Sequence, residues 1–480
     1  MHFYRSVLIA LILISAETGQ AQCTNAVTLQ YQSEIQFTSP QQAFASHHDN
    51  TGKAYLYVAS NDQGLRIYDL SNVTLPVLVK TIPIDSFANM YVMNLTQSGN
   101  YLYLTLGNSF VTSSKPGMAI VDVTTPATAK VSTVWNWSKP SGGGGIVAVE
   151  GNYAYLGAMG QGLIILDIAN KSNAVFVSQY IPSISFPNPV KPDSSKYNAR
   201  GMVVKNSIVY LCYDAGGFRI INATNKSSPV ETGRYSNSLL LNKTRAYNNV
   251  VINDTLAYIA VDYCGMEILN IADTAAIKEI GWWNPWNCQA STNDWFNSPG
   301  FANEIAYDDN CKLVFLASGN SNLDVVNVSN PAHPDSCTSY QGAGSGQGTW
   351  GVSLYQNELF LSYIYVPLCI PFCSNWGGVK MLNWKSPCYT TEVREQNNTN
   401  PMEIYPNPSN GTFTINIPLS IGEIAASVFT PLGKCVYSRE FAAGQAKSFS
   451  MSMNDVTPGL YTLIIKSSAK TYYRKLLITK

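Results

Sequence analysis

The amino-acid sequence predicts an all-β protein, with a seven-bladed β-propeller followed by a small Ig-like β-sandwich. A strand–turn–strand pattern recurs seven times over most of the 480 residues, which is typical of a propeller. Short alternating strands return after residue 400, as in a small sandwich. Charged residues make up only 12% of the chain and hydrophobic residues 46%, a balance that suits sheets covered on both faces.

Each repeat contains a hydrophobic strand with an aromatic residue near its centre. These aromatic residues are Tyr57, Tyr103, Tyr155, Tyr210, Tyr258, Phe315 and Phe360. They follow one another at steps of 46, 52, 55, 48, 57 and 45 residues, close to the roughly 40–50 residues of one propeller blade. A second hydrophobic strand follows a short turn, and a further strand lies on either side of the pair. Each repeat is therefore expected to form a four-stranded blade.

The residues between and after the two central strands have clear backbone roles. A glycine such as Gly64 or Gly265 lies in the turn, where a positive φ is expected, and Asn322 replaces it in the sixth repeat. An Asp or Asn closes the second strand and can accept a hydrogen bond from its own downstream backbone in an Asx-turn. The pattern therefore predicts the same tight connections in every blade.

The N-terminal strand is expected to close the ring. Residues 26–37 resemble the fourth strand of a repeat, yet they precede the first repeat. We expect this strand to complete the seventh blade and to join the two ends of the propeller. The alternative is a loose N-terminal arm.

Several of the second strands have a more specific signature. Residues 65–69, 119–122, 163–167 and 323–327 read LRIYD, AIVD, LIILD and LDVVN. They resemble LVIVD repeats, which occur in bacterial and archaeal surface proteins and are similar to other β-propeller repeats. The resemblance covers roughly residues 27–390 and implies a surface-exposed propeller without specifying its ligand.

Residues 401–480 resemble a second family. A polar linker at 391–400 precedes them. The motif residues are Asn407, Pro408, Gly459, Tyr461 and Lys480. They resemble the type A C-terminal sorting domain of the type IX secretion system of Bacteroidota. This resemblance implies the type IX secretion machinery as a partner, followed by removal of the domain and either release or covalent attachment to outer-membrane lipopolysaccharide.

The first 21 residues have the features of a cleavable secretory signal peptide. Arg5 precedes the apolar run of residues 7–14, and the small residues Gly19 and Ala21 stand where a signal peptidase cleaves. The apolar run is shorter than the roughly 20 residues that span a bilayer. The expected organisation is thus a signal peptide (1–21), a propeller (22–390), a linker (391–400) and a sorting sandwich (401–480), in a secreted or cell-surface protein.

Ten cysteines in an exported chain predict disulfide bonds. We expect Cys311 and Cys337 to lie at one end of blade six, and Cys264 and Cys288 to lie on the opposite face of the propeller. Cys369 and Cys373 share one inserted turn. Cys23 and Cys388 flank the ring closure, where a disulfide would link the two ends of the propeller covalently. Cys212 is expected to be a buried thiol, and Cys435 belongs to the sorting domain. The spacing alone does not fix the connectivity.

The charge balance and the motifs exclude several classes of function. The 30 basic residues equal the 30 acidic ones, so the chain lacks the positive excess that phosphate backbones require, and no nucleic-acid partner is expected. No P-loop, dinucleotide, GxSxG or HExxH motif occurs in a suitable context, so no cofactor and no metal are expected. Catalytic residues stay unknown at this level.

One face of the predicted propeller collects the long loops and is the expected binding surface. Trp283, Trp286 and Trp295 lie in one such loop, and aromatic rings suit sugars or protein partners. The alternative is that these rings pack the loop onto its own blade. We therefore expect a non-catalytic protein that binds a glycan, a protein or another surface component.

Charged residues near the channel mouth support a second hypothesis. Arg200, Glu304 and Trp350 begin innermost strands, where a charge could orient a ligand, although a structural Arg–Glu pair or a solvated channel lining is the preferred explanation. Asp62, Asp214, Asp262 and Glu304 could also pair in space as glycosidase carboxylates do. The alternative function is a secreted hydrolase or lyase, favoured by paired carboxylates in a deep pocket. A purely structural surface-layer protein is expected if neither feature exists.

Overall fold

The structure is a computed structural model in which nine β-sheets account for almost all regular elements. It describes residues 26–188, 193–296, 298–320, 322–341, 345–370, 372–388, 403–416, 424–430, 434–441, 448–453, 455–467 and 471–479. The predicted signal peptide, Cys23, the linker at 391–400 and Lys480 lie outside these residues. The chain divides into two compact units, Met1–Tyr389 and Thr390–Lys480.

Seven four-stranded antiparallel sheets form the blades of the first unit. Blade 1 contains β2 (Ala45–His48), β3 (Tyr55–Ala59), β4 (Leu65–Asp69) and β5 (Val77–Ile82). Blade 2 contains β6 (Val92–Ser98), β7 (Tyr101–Leu106), β8 (Gly117–Asp122) and β9 (Lys130–Asn136). Blade 3 contains β10 (Ile146–Glu150), β11 (Tyr153–Gly157), β12 (Leu163–Asp167) and β13 (Val175–Tyr180). Blade 4 contains β14 (Gly201–Lys205), β15 (Ile208–Cys212), β16 (Phe218–Asn222) and β17 (Val230–Tyr235).

The last three blades follow the same order. Blade 5 contains β18 (Tyr247–Asn253), β19 (Leu256–Val261), β20 (Met266–Asn270) and β21 (Lys278–Trp283). Blade 6 contains β22 (Glu304–Asp308), β23 (Leu313–Ala317), β24 (Asn322–Asn327) and β25 (Asp335–Gln341). Blade 7 contains β26 (Thr349–Tyr355), β27 (Glu358–Tyr363), β28 (Gly378–Lys385) and the N-terminal β1 (Thr28–Gln36). Short 3-10 turns span Ile84–Phe87, Pro126–Thr128, Ser194–Lys196 and Ser238–Leu240.

The predicted ring closure is confirmed. β1 pairs antiparallel with β28, so the chain's first strand is the outermost strand of its last blade. The register runs from Thr28 opposite Lys385 to Gln36 opposite Gly378, with one irregularity between Tyr31 and Ser33. The closed ring joins the two ends of the propeller, and its separate sheets keep only short, protected edges.

The predicted turn chemistry is also confirmed. Gly64 and Gly265 have φ of 80° and 78°, and a Cβ at either would lie 2.1 Å from a backbone carbonyl oxygen of the outermost strand. Asn322 takes the same left-handed conformation in blade 6, with φ of 64°. In blades 1 to 6 the closing Asp or Asn accepts a hydrogen bond from the backbone N–H two residues later, at 2.7–3.0 Å.

The hydrophobic core lies between neighbouring blades. One cluster joins Tyr57 and Ile67 of blade 1 to Leu95, Leu104 and Val121 of blade 2. Equivalent clusters lie between other blades, because each sheet presents apolar side chains on both faces. This sandwich-like packing explains how a chain with few charges remains compact and why the loops carry most of the polar surface.

The disulfides correct part of the predicted cysteine arrangement. Cys264 bonds Cys288, and Cys369 bonds Cys373. Cys311 and Cys337 lie in one cluster at the end of blade 6, as expected, but Cys311 bonds Cys388 and thereby joins blade 6 to blade 7. The reason is the closed ring: the turn after β22 and the end of β28 lie on the same face of adjacent blades. Cys388 therefore does not bond Cys23.

The other described cysteines are either disulfide-bonded or free thiols. Cys337 is disulfide-bonded. Cys212 is a buried thiol, as expected, and Cys435 is an exposed thiol of the second unit.

The second unit is a small β-sandwich. One sheet contains β29 (Glu403–Tyr405), β30 (Thr412–Asn416) and β33 (Ser448–Ser452). The other contains β31 (Ile424–Phe429), β32 (Cys435–Phe441), β34 (Gly459–Ser467) and β35 (Thr471–Ile478). Its core brings together Phe413, Ile415, Val428, Leu463 and Leu476.

Candidate functional site

One face of the propeller carries the irregular segments. Since the four strands of each blade alternate in direction, the turn between its second and third strands lies on the same face as the connection to the next blade. The connections at 236–246 and 284–303 and the turn at 364–377 all lie on this face, which we call the loop-rich face. Blades 4 and 5 together with their connections build a large site there.

A repeated backbone position supplies the acidic groups of this site. This position lies one or two residues after the second strand of a blade. Its residue has a positive φ and forms an isolated β-bridge with a residue near the first strand of the next blade. The bridges join Asn61 to Val92, Met159 to Ala199, Asp214 to Tyr247, Asp262 to Ala302 and Gly319 to Thr349. Asn, Asp and Gly tolerate this conformation best. Blades 4 and 5 use Asp, so two carboxylates recur on neighbouring blades.

These two carboxylates line a cavity of about 530 Å³, which we call the aspartate cavity. Arg200, immediately before β14, and Trp295, in the connection between blades 5 and 6, also line it. Asp214 and Asp262 are 9% and 6% exposed. The cavity thus combines a guanidinium, two buried carboxylates and an indole ring.

Each carboxylate accepts a hydrogen bond from a neutral side chain. Trp295 Nε1 donates to Asp262 Oδ2 at 2.6 Å, and Asn198 Nδ2 donates to Asp214 Oδ2 at 2.9 Å. Within the described part of the chain, no lysine or arginine nitrogen lies within 4.0 Å of either carboxylate. The carboxylates are therefore held in place without a close positive partner.

The environment favours the protonated form of both aspartates. Burial raises the pKa of Asp262 to about 7; the charge of Asp214 adds to this rise, while Arg200 and the Trp295 hydrogen bond oppose it. Burial likewise raises the pKa of Asp214, against the effects of Arg200 and the Asn198 hydrogen bond. Near neutral pH, Asp262 exchanges readily between its two protonation states.

Other cations around the aspartate cavity are already used by the fold. Lys243 Nζ donates to the carbonyl oxygens of Ala290 and Asn293 at 2.7 and 2.9 Å. Arg245 donates through one terminal nitrogen to backbone carbonyls, among them that of Leu240 at 2.9 Å, while its buried Nε has no partner. Lys196 forms an exposed ion pair with Asp193 at 3.7 Å.

Arg200, Glu304 and Trp350 line a second, central cavity of about 50 Å³. Burial raises the pKa of Glu304 to about 7, and Asn249 donates a hydrogen bond to its carboxylate. The Arg200 guanidinium lies 5.8 Å from the Trp350 ring centroid, and no Arg200–Glu304 ion pair forms among the described residues. The structural-pair explanation is therefore not supported by the geometry.

Aromatic rings cover the central cavity at the loop-rich face. Phe110 lies 5.9 Å from Phe44 and 5.7 Å from Trp350, measured between ring centroids. The loop that carries Phe110 comes from blade 2, so it reaches across the channel mouth towards blades 1 and 7. The central cavity is consequently too small and too covered to hold more than a few water-sized groups.

The three tryptophans of the long loop have different environments in the structure. Trp283 is buried, and its Nε1 donates to Ser336 Oγ at 2.8 Å. Trp286 packs against Trp283 with ring centroids 5.6 Å apart. Trp295 is the one of the three that lines the aspartate cavity. Packing of the loop onto its blade thus explains Trp283 and Trp286, whereas Trp295 faces the site.

Some site residues had no sequence signal. Arg245, Asn198 and Lys243 lie in irregular connections where nothing in the spacing marks them. Asp214 and Asp262 occupy equivalent positions of successive repeats, and an alignment of the positive-φ position would have singled them out. Asp62 is exposed in blade 1 and lines neither cavity.

The sorting-motif residues have structural roles in the sandwich. Asn407 Nδ2 donates to the carbonyl oxygen of Lys475 at 2.9 Å, and its Oδ1 accepts from the backbone N–H of Leu477 at 2.8 Å. The peptide bond before Pro408 is cis. Gly459 begins β34, and the buried Tyr461 donates its hydroxyl to the carbonyl oxygen of Thr457 at 2.6 Å.

Both units match known families or folds. The first unit defines a β-propeller, and residues 52–82, 142–181, 198–237 and 312–341 match the LVIVD repeat. Residues 403–479 match the secretion system C-terminal sorting domain. The chain therefore contains LVIVD repeats within a β-propeller and a sorting domain that directs it through type IX secretion to the cell surface or outside.

Solved structures support the propeller fold. The chain is similar to the β-propeller domain of Myceliophteria thermophila Cps50 (Swd1), with 10% identity and a TM-score of 0.51 over 74% of this chain and 99% of that one. It is also similar to U3-55K, with 9% identity and a TM-score of 0.53 over 75% of this chain and 98% of that one. No curated protein matches the sequence. Within the described residues, no helix has the length and apolarity needed to cross a bilayer.

Proposed function

We propose that this secreted or cell-surface propeller binds a saccharide in the aspartate cavity. The observation that carries the proposal is the arrangement of Trp295 beside Asp262 and Asp214 in a cavity of about 530 Å³. A sugar ring offers an apolar face to the indole, and its hydroxyl groups both donate and accept hydrogen bonds. Buried carboxylate acceptors and the Arg200 donors supply both kinds of partner.

Oligosaccharide binding by the purified protein tests this function. A glycan array identifies the ligand, and titration calorimetry then compares the wild type with Trp295→Ala. We expect the variant to lose at least about tenfold in affinity, since a buried aromatic anchor contributes more than roughly 1 kcal/mol. Trp137→Ala is the control, because Trp137 stacks on Phe176 and lines neither cavity. Equal affinity of Trp295→Ala and wild type would remove the aspartate cavity from the proposal.

A hydrolase is the second candidate, for which the two carboxylates provide a specific reason. Asp262, with a pKa of about 7, is suited to donate a proton, and Asp214 faces the same cavity. Mass spectrometry of oligosaccharides incubated with the protein distinguishes the two functions. Shorter products that disappear with Asp262→Asn would favour hydrolysis, and unchanged ligands would favour binding.

The fate of the protein after export is also a proposal. We infer that removal of the sorting domain leaves the propeller either released or attached to lipopolysaccharide, in keeping with the sorting-domain match. A lipopolysaccharide-specific blot of the surface form, compared with the culture medium, separates these outcomes.

A further inference from the structure

Within the aspartate cavity, Asp214, Asp262 and Arg200 form a group of charges that contains one more acid than base. Asp214 and Asp262 are both buried, and Arg200 is the cation whose charge acts on both. When both carboxylates are ionised, the three groups carry one net negative charge. Lys243 and Arg245 also line the cavity, but neither is among the charges that shift the pKa of Asp214 or Asp262, and their head groups donate to backbone carbonyls of the surrounding connections. Lys196 is paired with the exposed Asp193.

The indole ring of Trp295 lies beside the two carboxylates, whose negative charges Arg200 balances only in part. The Trp295 ring is fixed by its hydrogen bond to Asp262 and by edge contacts with Phe296 and Phe301, whose centroids lie 5.0 and 6.0 Å away. Carboxylates are the partners that an ammonium group prefers, through charge-assisted hydrogen bonds, and the N–H edge of the Trp295 indole fixes one of them.

We propose that the saccharide bound by this cavity carries a free amino group, and that its ammonium lies between Asp214 and Asp262. The ligand class is an amino sugar whose nitrogen is not acetylated. This inference rests on the proposed saccharide-binding function and narrows its ligand. One ammonium would neutralise the net charge of Asp214, Asp262 and Arg200, which neither a neutral nor an N-acetylated sugar does.

Binding of such a ligand depends on the ionisation of Asp262. This carboxyl faces Arg200 and Asp214 from blade 4 and Trp295 from the connection after blade 5, and it adjoins Tyr263 in its own turn. Burial raises the pKa of Asp262 to about 7, so the carboxyl is increasingly protonated below that pH. Binding needs both an ionised Asp262 and a protonated ligand amine, so the affinity for the amino sugar is expected to be highest near neutral pH and to fall on either side, as Asp262 gains a proton at lower pH and the amine loses one at higher pH.

Calorimetry with matched tetrasaccharides tests the inference on the full chain. The probes are β-1,4-linked glucosamine tetramer, its N-acetylated form, and the glucose tetramer with the same linkage. We expect the glucosamine tetramer to bind at least tenfold more tightly than the other two at pH 7. Equal or tighter binding of the N-acetylated or glucose tetramer would overturn the amine inference and leave saccharide binding intact. Binding of none of the three would count against both.

Variants separate the carboxylates from the rest of the cavity. Asp262→Asn and Asp214→Asn keep the side-chain shape, and each should weaken glucosamine-tetramer binding at least tenfold. Asp62→Asn is the control, because Asp62 is exposed in blade 1 and lines neither cavity; its affinity should stay within twofold of wild type. Unfolding curves establish that each variant folds. Undiminished binding by both inner variants would overturn the proposal.

A lysine peptide tests the other source of an ammonium. Acetyl-Gly-Lys-Gly-amide presents a primary amine without a sugar ring. We expect it to bind at least tenfold more weakly than the glucosamine tetramer, since it offers no hydroxyl groups and no ring for Trp295. Tighter binding of the peptide would overturn the amino-sugar class in favour of a protein ligand.

Discussion

Glu267 shows how a single buried acid supports the site without touching it. It is fully buried, and it accepts hydrogen bonds from Asn237 Nδ2 at 2.9 Å and from the Tyr247 hydroxyl at 2.8 Å. The Tyr247 hydroxyl in turn accepts from the backbone N–H of Asn237 at 2.9 Å. Asn237 begins the connection whose later residues form a wall of the aspartate cavity. Glu267 therefore anchors that wall to blade 5.

Glu267 makes the stability of the protein depend on pH. Burial raises its pKa to about 8, against the hydrogen bonds from Asn237 and Tyr247. The folded chain keeps this proton up to about pH 8, whereas the unfolded chain releases it near pH 4.5. The stability that this proton contributes is thus complete below about pH 4.5 and is lost as the pH rises to 8. Over that range the free energy of unfolding falls by up to about 1.4 kcal/mol per pH unit.

We predict that Glu267→Gln flattens the decline in unfolding free energy between pH 5 and 8. Urea denaturation at three or four pH values measures the slope. Asp85→Asn is the control, since Asp85 is exposed and water solvates it in the folded and unfolded states alike. A slope in Glu267→Gln as steep as in wild type would show that this carboxyl does not carry the proton.

Individual side chains were the hardest features to predict from the sequence. The loop with Trp283, Trp286 and Trp295 was correctly recognised as aromatic, but composition does not tell which ring packs inward. Trp283 finds Ser336 of blade 6 as a hydrogen-bond partner, 53 residues away, and no local pattern encodes that contact. Arg200 and Glu304 were predicted near the channel mouth, and both line the central cavity.

Among the elements, the strands were predictable because the same local sequence signals recur in each repeat. The central aromatic residues, the turn glycines and the closing Asp or Asn are local signals of strand centre, turn and strand end. The partner of Cys311 was not predictable in this way. Its bond to Cys388 depends on how blades 6 and 7 meet in the closed ring, which is a long-range property.

The disulfides are expected to differ in their contribution to stability. Cys311–Cys388 closes a sequence separation of 77 residues, and Cys369–Cys373 one of 4. Longer loops lose more entropy on cross-linking, so removing the first bond with paired Cys→Ala changes should cost about 2–4 kcal/mol. The paired change at Cys369 and Cys373 is the control and should cost clearly less. Thermal and urea unfolding measure both, and the reverse order would contradict the assignment.

At the scale of the whole molecule, the low charge follows from the architecture. Blades pack against one another on both faces, so most strand positions are apolar and the loops take Asn, Ser, Gly and Tyr. The closed ring was predictable because β1 carries the pattern of a fourth strand ahead of the first repeat. The ligand was not, because it depends on which loop side chains converge between blades 4 and 5.

The most direct test of the proposed function is a crystal structure of the protein with its tightest-binding oligosaccharide. We predict an ordered sugar in the aspartate cavity, with one ring against the Trp295 indole and a polar group hydrogen-bonded to Asp214 or Asp262. A sugar ordered elsewhere on the propeller, with this cavity lacking it, would contradict the assignment of the site.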